Sequence, residues 1–241
     1  MPSPPEPTRS APEDLRMEDG LEVRPFTRSC ARVLARGEHA LIGVSAGNGY
    51  FTQERLTQLL RWAGRRFAHI DVLHTDLHLD TMHRAGGADE EQAARRTKRS
   101  LRDVRRRIRR ALEAVGAVPG HLRSLALSET VGLPGYRTVR DRLEREFDTN
   151  ARVRGACEAH VGKLLGGGAA ADDARFRAGL AYLHAELPFL LATPEVLGVP
   201  SSVCCYHDLL PVVEQLHDEG SCFHTGQAHA VVRPLTRDGR P

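Results

Sequence analysis

The stretch from residue 40 to residue 73 constrains the fold more than any other part of the chain. Residues 40–44 are a continuous apolar run, a Gly/Asn turn follows at 47–49, and Thr52 precedes Leu56, Leu59, Leu60 and Ala63 at helical spacing. A second apolar run spans residues 70–73. A short run that is apolar at every position reads as a strand buried on both faces, and a Thr before an apolar periodicity reads as a helix cap. Strand, turn, helix and strand within about 35 residues make a right-handed βαβ unit. Parallel neighbours need helices over both faces, so the expected class is α/β, with a parallel sheet flanked by helices. A third strand is expected at 123–127, helices at 136–147 and 150–165, a Gly/Ala linker at 166–171, a helix at 173–190 and a terminal strand at 229–232 that closes the sheet. Residues 1–20, rich in Pro, Glu and Ser, are expected to be a disordered tail, leaving 21–241 as one Rossmann-like domain.

Composition removes several classes. Of 241 residues, 41% are hydrophobic and 27% charged, close to the globular average and unlike collagen-like or largely disordered chains. No apolar run approaches the roughly 18 residues of a membrane span, so a soluble chain with no membrane attachment is expected. Five prolines among the first twelve residues leave no apolar centre for a secretory signal, and the expected location is the cytoplasm. The five cysteines (Cys30, Cys157, Cys204, Cys205 and Cys222) contain no C-x-x-C pair, so reduced, mostly buried thiols are expected.

The formal net charge of +3 hides an uneven distribution. Residues 95–110 hold ten Lys or Arg against one Asp, whereas the rest of the chain carries 24 basic against 30 acidic groups. Leu101, Val104, Ile108, Leu112 and Val115 recur there at helical spacing, which predicts an amphipathic helix docked on a core. Arg99, Arg102, Arg106 and Arg110 fall on the opposite face. Such a face is either solvated or matched by a polyanion, a nucleic acid before an anionic membrane. Aromatic residues that would stack bases are absent from it, so phosphate contact without base reading is expected.

Four short segments bear chemistry. Gly43-Val44-Ser45-Ala46-Gly47 matches the G-x-S-x-G turn that lifts a nucleophilic serine above a strand end. A hydrolase elbow follows several strands and an HGGG-like segment, whereas Ser45 ends what reads as the first strand. Ser45 is well placed either way, because open α/β sheets bind ligands at the carboxyl ends of strands. Tyr182 and Glu186 are four apart and share a helix face among Leu183, Leu187 and Leu190. A carboxylate near a core needs a cation or hydrogen bonds, and a substrate α-ammonium would serve; a surface Glu beside a structural Tyr is the plainer alternative. Residues 200–211, PSSVCCYHDLLP, put Tyr206 and His207 together on an expected loop. His74, Asp76, His78, Asp80 and His83 alternate as along an extended segment, but ligands must converge from several elements, so no metal is expected.

Together these residues resemble the cyclodipeptide synthases, which make a 2,5-diketopiperazine from two aminoacyl-tRNAs. The family motif H-x-aliphatic-aliphatic-G-aliphatic-S is complete from His39 to Ser45, and Y-aliphatic-x-x-E-x-P from Tyr182 to Pro188. Asn48 with Tyr206 and His207 resembles the Asn-Tyr-His branch that includes the albonoursin-pathway enzyme. The resemblance implies a fold like the catalytic domain of class I tyrosyl- and tryptophanyl-tRNA synthetases, a role in secondary metabolism, no cofactor and no ATP; the KMSKS signature is absent. It implies an aminoacyl ester on Ser45, its ammonium held by Glu186 and Tyr182, proton relay by Tyr206, orientation by Asn48 and His207, and an accessory hydroxyl at Tyr136. By the same resemblance Leu41, Gly43, Leu73, Leu127, Phe189 and Cys204 form an apolar first-residue pocket, while His160 and Asp208 leave a polar second residue open. Arg95, Arg99, Arg102, Arg106, Arg107, Arg109 and Arg110 would grip the acceptor arms of the two tRNAs, and a monomer is expected. A serine hydrolase using Ser45 and a non-catalytic tRNA-binding module remain the alternatives.

Overall fold

The computed structural model describes residues 16–116, 118, 121–166 and 173–235. The described chain opens with a hairpin, β1 (Arg16–Glu18) and β2 (Leu21–Pro25), then α1 (Arg28–Arg36), β3 (His39–Ser45), α2 (Gln53–Arg66) and β4 (His69–Thr75). Next come α3 (Leu79–Ala85), α4 (Glu90–Val115), β5 (His121–Ala126), α5 (Leu127–Thr130) and α6 (Pro134–Thr149). α7 (Ala151–Leu164), α8 (Ala174–Leu197), β6 (Ser202–Tyr206), α9 (Pro211–Leu216) and β7 (Gln227–Pro234) follow. Among the described residues the strands form one sheet in the order β1-β2-β7-β6-β3-β4-β5. The five strands from β7 to β5 run parallel, with Ser45 of β3 beside Thr75 of β4.

The βαβ unit forms as its residues require: Thr52 caps α2, its hydroxyl accepting from the Arg55 amide at 3.2 Å. Strand alternation then sorts the core into two layers. Ala40, Ile42 and Val44 pack with α1, α2 and α4 on one face of the sheet. Leu41, Leu73 and Cys204 point to the other, under α6, α7, α8 and α9. Ser45 belongs by parity to that second face.

Several expectations are corrected. Residues 16–20 belong to the sheet: Asp19 (φ 53°) and Gly20 (φ 75°) form a hairpin turn. Two successive positive φ values match strand twist, and Asp-Gly tolerates them. The sheet is therefore mixed, because β2 runs antiparallel to β7. β7 also does not close the sheet; it lies inside, between β6 and β2. Residues 202–206, expected in a loop, are strand β6. The His/Asp alternation from His74 is not one extended segment, since the chain leaves β4 after Thr75 and turns at His78 (φ 61°) into α3. α8 continues past 190 to Leu197 with a break at Ala192 (φ −151°, ψ 40°). Pro194 lacks the N–H that would bond the Leu190 carbonyl, and His229 Nε2 donates to that carbonyl instead at 2.8 Å. Residues 1–15 of the expected tail, and 167–171 of the expected linker, lie outside the described residues.

Candidate active site

A cavity of about 350 Å³ opens where β3, β4 and β6 end beneath α8. Ser45 closes β3, and the chain reverses through Gly47 (φ 84°), a left-handed position that suits glycine. The turn is tied by the Asn48 amide donating to the Ser45 carbonyl at 3.2 Å. Asn48 uses both ends of its side chain: Oδ1 accepts from the Tyr50 amide at 2.8 Å, and Nδ2 donates to the Tyr206 hydroxyl at 3.3 Å. The Tyr50 ring stacks on His207, with centroids 3.9 Å apart. Loop and strand end are thereby held against each other.

α8 supplies Tyr182 and, one turn on, Glu186. Thr75 donates to Glu186 Oε1, and the Tyr182 hydroxyl contacts Glu186, Thr75 and Ser45. The Tyr206 hydroxyl contacts Ser45 from the other side. Asn48 to Tyr206 and Thr75 to Glu186 are hydrogen bonds, and the Ser45 and Tyr182 hydroxyls lie between them. Burial raises the Glu186 pKa, opposed by the Thr75 and Tyr182 hydroxyls. Burial, reinforced by the neighbouring Glu186 charge, sends Tyr182 well above the usual tyrosine value, and Tyr206 is raised by burial too. No ion pair among the described residues engages Glu186. A carboxylate solvated by two hydroxyls at the bottom of a cavity is poised for a ligand cation.

The rest of the cavity is zoned. Leu41, Gly43, Leu73, Phe189 and Cys204 make an apolar wall, and a Cβ added at Gly43 would meet nothing within 4 Å. His160, Lys163 and Asp208 line another part, with Lys163 Nζ 3.3 Å from Asp208 Oδ2. Burial and Lys163 push His160 down to about 4, so its imidazole is neutral, and its Nδ1 has no hydrogen-bond partner among the described residues.

A family model described as Cyclodipeptide synthase matches residues 21–234. Cyclo(L-leucyl-L-phenylalanyl) synthase of Streptomyces noursei is 45% identical over 205 residues, 83% of this chain and 86% of that one. The chain belongs to the cyclodipeptide synthase family. Among solved structures, a crystal structure of Cyclo(L-leucyl-L-phenylalanyl) synthase matches with a TM-score of 0.84 at 41% identity, over 90% of this chain and 100% of that one. A Mycobacterium tuberculosis protein matches with a TM-score of 0.83 at 32% identity, over 92% of this chain and 96% of that one, and its structure relates cyclodipeptide synthetases to type I tRNA synthetases. This cyclodipeptide synthase is thus an enzyme, and the non-catalytic alternative falls. The hydrolase alternative falls too: it needs an imidazole to activate the serine, and the hydroxyls on Ser45 are those of Tyr182 and Tyr206.

Ser45, Asn48, Tyr182, Glu186, Tyr206 and His207, named from sequence, all line the one cavity. Two others do not. Tyr136 is buried behind it, its hydroxyl donating to the Ala185 carbonyl of α8 at 2.9 Å, and Leu127 lies in the core beneath. Arg95, Arg99, Arg102, Arg106, Arg109 and Arg110 are exposed along α4, opposite the buried Val104, Ile108 and Ala111. Arg107 instead turns inward, to the Asn48 and Phe51 carbonyls. Thr75 was missed by sequence reasoning, although its place at the carboxyl end of the strand beside Ser45 was a usable signal. Among the described residues no group of three His, Cys, Asp or Glu is arranged to hold a metal ion.

Proposed function

We propose that the chain joins two aminoacyl groups, each arriving as an ester on tRNA, into a 2,5-diketopiperazine by ping-pong catalysis on Ser45. The observation that carries this reading is Glu186: a half-buried carboxylate lining the cavity, without an ion-pair partner among the described residues and linked through Tyr182 to a serine hydroxyl. Ser45 Oγ attacks the first ester carbonyl and the tRNA terminal hydroxyl leaves with a proton. The new aminoacyl ester holds its α-ammonium against Glu186 and Tyr182, supplying the counter-charge that no described residue gives Glu186. As that nitrogen loses its proton and attacks the second ester, the raised Glu186 pKa suits the carboxyl to receive the proton. The second tRNA leaves, and the dipeptide remains on Ser45. Its terminal amine then attacks the Ser45 ester and closes the ring, with Tyr206, held by Asn48, relaying the proton back to Ser45. No ATP enters, because the ester is already activated.

The apolar wall supports a hydrophobic first residue, and the His160, Lys163 and Asp208 zone supports a polar second one. Leu127 backs the first pocket from the core, and Tyr136 serves by holding α8. The exposed arginines of α4 take the acceptor arms through phosphates, without base reading. The reading takes the protein as a monomer acting in the cytoplasm, where charged tRNA is found. Incubation with tRNA carrying a radiolabelled amino acid should leave label on the intact protein and, after the second substrate, in a cyclic product; Ser45→Ala should abolish both. Label that never reaches the wild-type protein or a cyclic product would sink the reading. Products with two apolar residues only, seen by mass spectrometry, would refute the polar second pocket alone.

A further inference from the structure

Two arginines of the basic helix reach toward the loops that carry the reacting groups, Arg107 half-buried and Arg105 from an exposed position on the flank of the helix. Arg107 Nη1 donates both its hydrogens, to the Asn48 carbonyl at 3.1 Å and the Phe51 carbonyl at 2.7 Å. Asn48 is the residue whose side chain holds the Tyr206 hydroxyl. Two residues earlier in the helix, Arg105 donates from Nε to His74 Nε2 at 3.1 Å and from Nη2 to Asp76 Oδ2 at 3.2 Å. These two acceptors flank Thr75, the partner of Glu186. His74 can accept from a cation because it is neutral, its pKa lowered by burial.

We propose that Arg105 and Arg107 are positioning residues: from the helix offered to tRNA they fix the β3–α2 loop and the end of β4, and so set the acyl-transfer geometry. A guanidinium suits this because its planar fork can bridge fixed acceptors, whereas an ammonium is a compact charge on a flexible stem. Loop carbonyls left unclaimed would turn to water, and Asn48 would lose its fixed angle to Tyr206. Helix docking and chemistry are then connected through two side chains instead of through the core. The inference rests on the acyl-enzyme reading, since it concerns the rate at which Ser45 is loaded.

The test separates binding from chemistry. Single-turnover loading of Ser45 from radiolabelled aminoacyl-tRNA is followed at rising tRNA and several salt concentrations for wild type, Arg107→Lys and Arg107→Met. For Arg107→Lys, which keeps the charge, we expect the saturating rate to fall at least about tenfold, tRNA Kd to stay within about threefold and the salt slope to be unchanged. A phosphate contact would behave oppositely: Arg107→Lys would keep the saturating rate, and Arg107→Met would lower the salt slope by about one. That result overturns the proposal while leaving wild-type loading intact. Absence of label on wild-type Ser45 would overturn the acyl-enzyme itself and this inference with it. Should Arg107→Met not fold, the lysine variant decides alone.

Discussion

Glu186 is a half-buried carboxylate at the cavity wall whose partners among the described residues are hydroxyls. Hydrogen bonds to a charged group are worth about 1.5–3 kcal/mol, which sets the scale of what the ammonium of an aminoacyl group would gain here under the proposed mechanism. Glu186→Gln keeps the shape but removes the charge and replaces one acceptor oxygen with a donor amide nitrogen. Its kcat/KM for cyclic dipeptide formation should fall by about 10- to 150-fold, the rate equivalent of that energy. Thermal stability should not fall, because burial raises the pKa of this carboxyl and the unliganded protein gains by losing the charge. A Gln variant with undiminished kcat/KM would remove Glu186 from the mechanism. Gly43 carries the complementary test of shape. A Cβ there meets open space, so Gly43→Ala should fold with stability within about 0.5 kcal/mol of wild type, while its product distribution shifts toward smaller first residues. An unchanged product profile would show that the first side chain lies elsewhere. At this scale the motif residues were legible because local spacing placed them, on a strand end and on one helix face. Thr75 was not singled out, although the expected βαβ unit sets its strand beside that of Ser45, because its partner Glu186 lies on a helix distant in sequence.

Helix α4 illustrates what an element adds to its residues. Its apolar stripe and its arginine face were both readable from periodicity, and Val104, Ile108 and Ala111 are indeed buried. Arg107 falls on the flank between the apolar stripe and the arginine face; its inward turn was not readable because the backbone carbonyls that capture it belong to a loop distant in sequence. Arg99 is exposed and makes no ion pair among the described residues. Arg99→Gln should therefore leave folding unchanged, weaken tRNA binding and lower the slope of log K against log salt by about one. An unchanged slope in filter binding would take Arg99 off the phosphate path. β6 shows the opposite failure. Its flanking prolines and paired serines read as loop, yet Val203, Cys204 and Cys205 are buried between β3 and β7, both distant in sequence. α1 went unmarked although Thr27, whose hydroxyl accepts from the Cys30 amide at 3.2 Å, gives it an ordinary cap.

Across the whole molecule, polar groups away from the cavity hold the sheet together. His39 Nδ1 lies 2.8 Å from Ser202 Oγ and its Nε2 3.2 Å from Asp71 Oδ2, and Arg123 Nη2 donates to Asp71 at 2.9 Å. This Ser-His-Asp series spans β6, β3 and β4 and is sealed from solvent, so its role is to tie three strands. His229 ties α8 to β7, and burial pushes it down to about 3 from an ordinary 6.5. Between those values the unfolded chain binds the proton and the folded one does not, so stability rises with pH and is complete above 6.5. Urea unfolding midpoints should climb from about pH 4.5 to 7 and then level. His229→Gln should flatten the climb by up to about 1.4 kcal/mol per pH unit. An identical slope in the variant would assign the acid sensitivity to other groups, such as His160.

Local periodicity and turn chemistry, which act between residues a few positions apart, determined that the chain is α/β, that Ser45 ends a buried strand, that Tyr182 and Glu186 share a face and that one helix carries the cationic surface. The strand order, the antiparallel hairpin on the β7 edge, the Thr75 contact and the Arg105 and Arg107 contacts were decided only in the folded molecule. Each depends on which distant segments are neighbours, and that follows from covering both faces of the sheet at once rather than from any single stretch of residues.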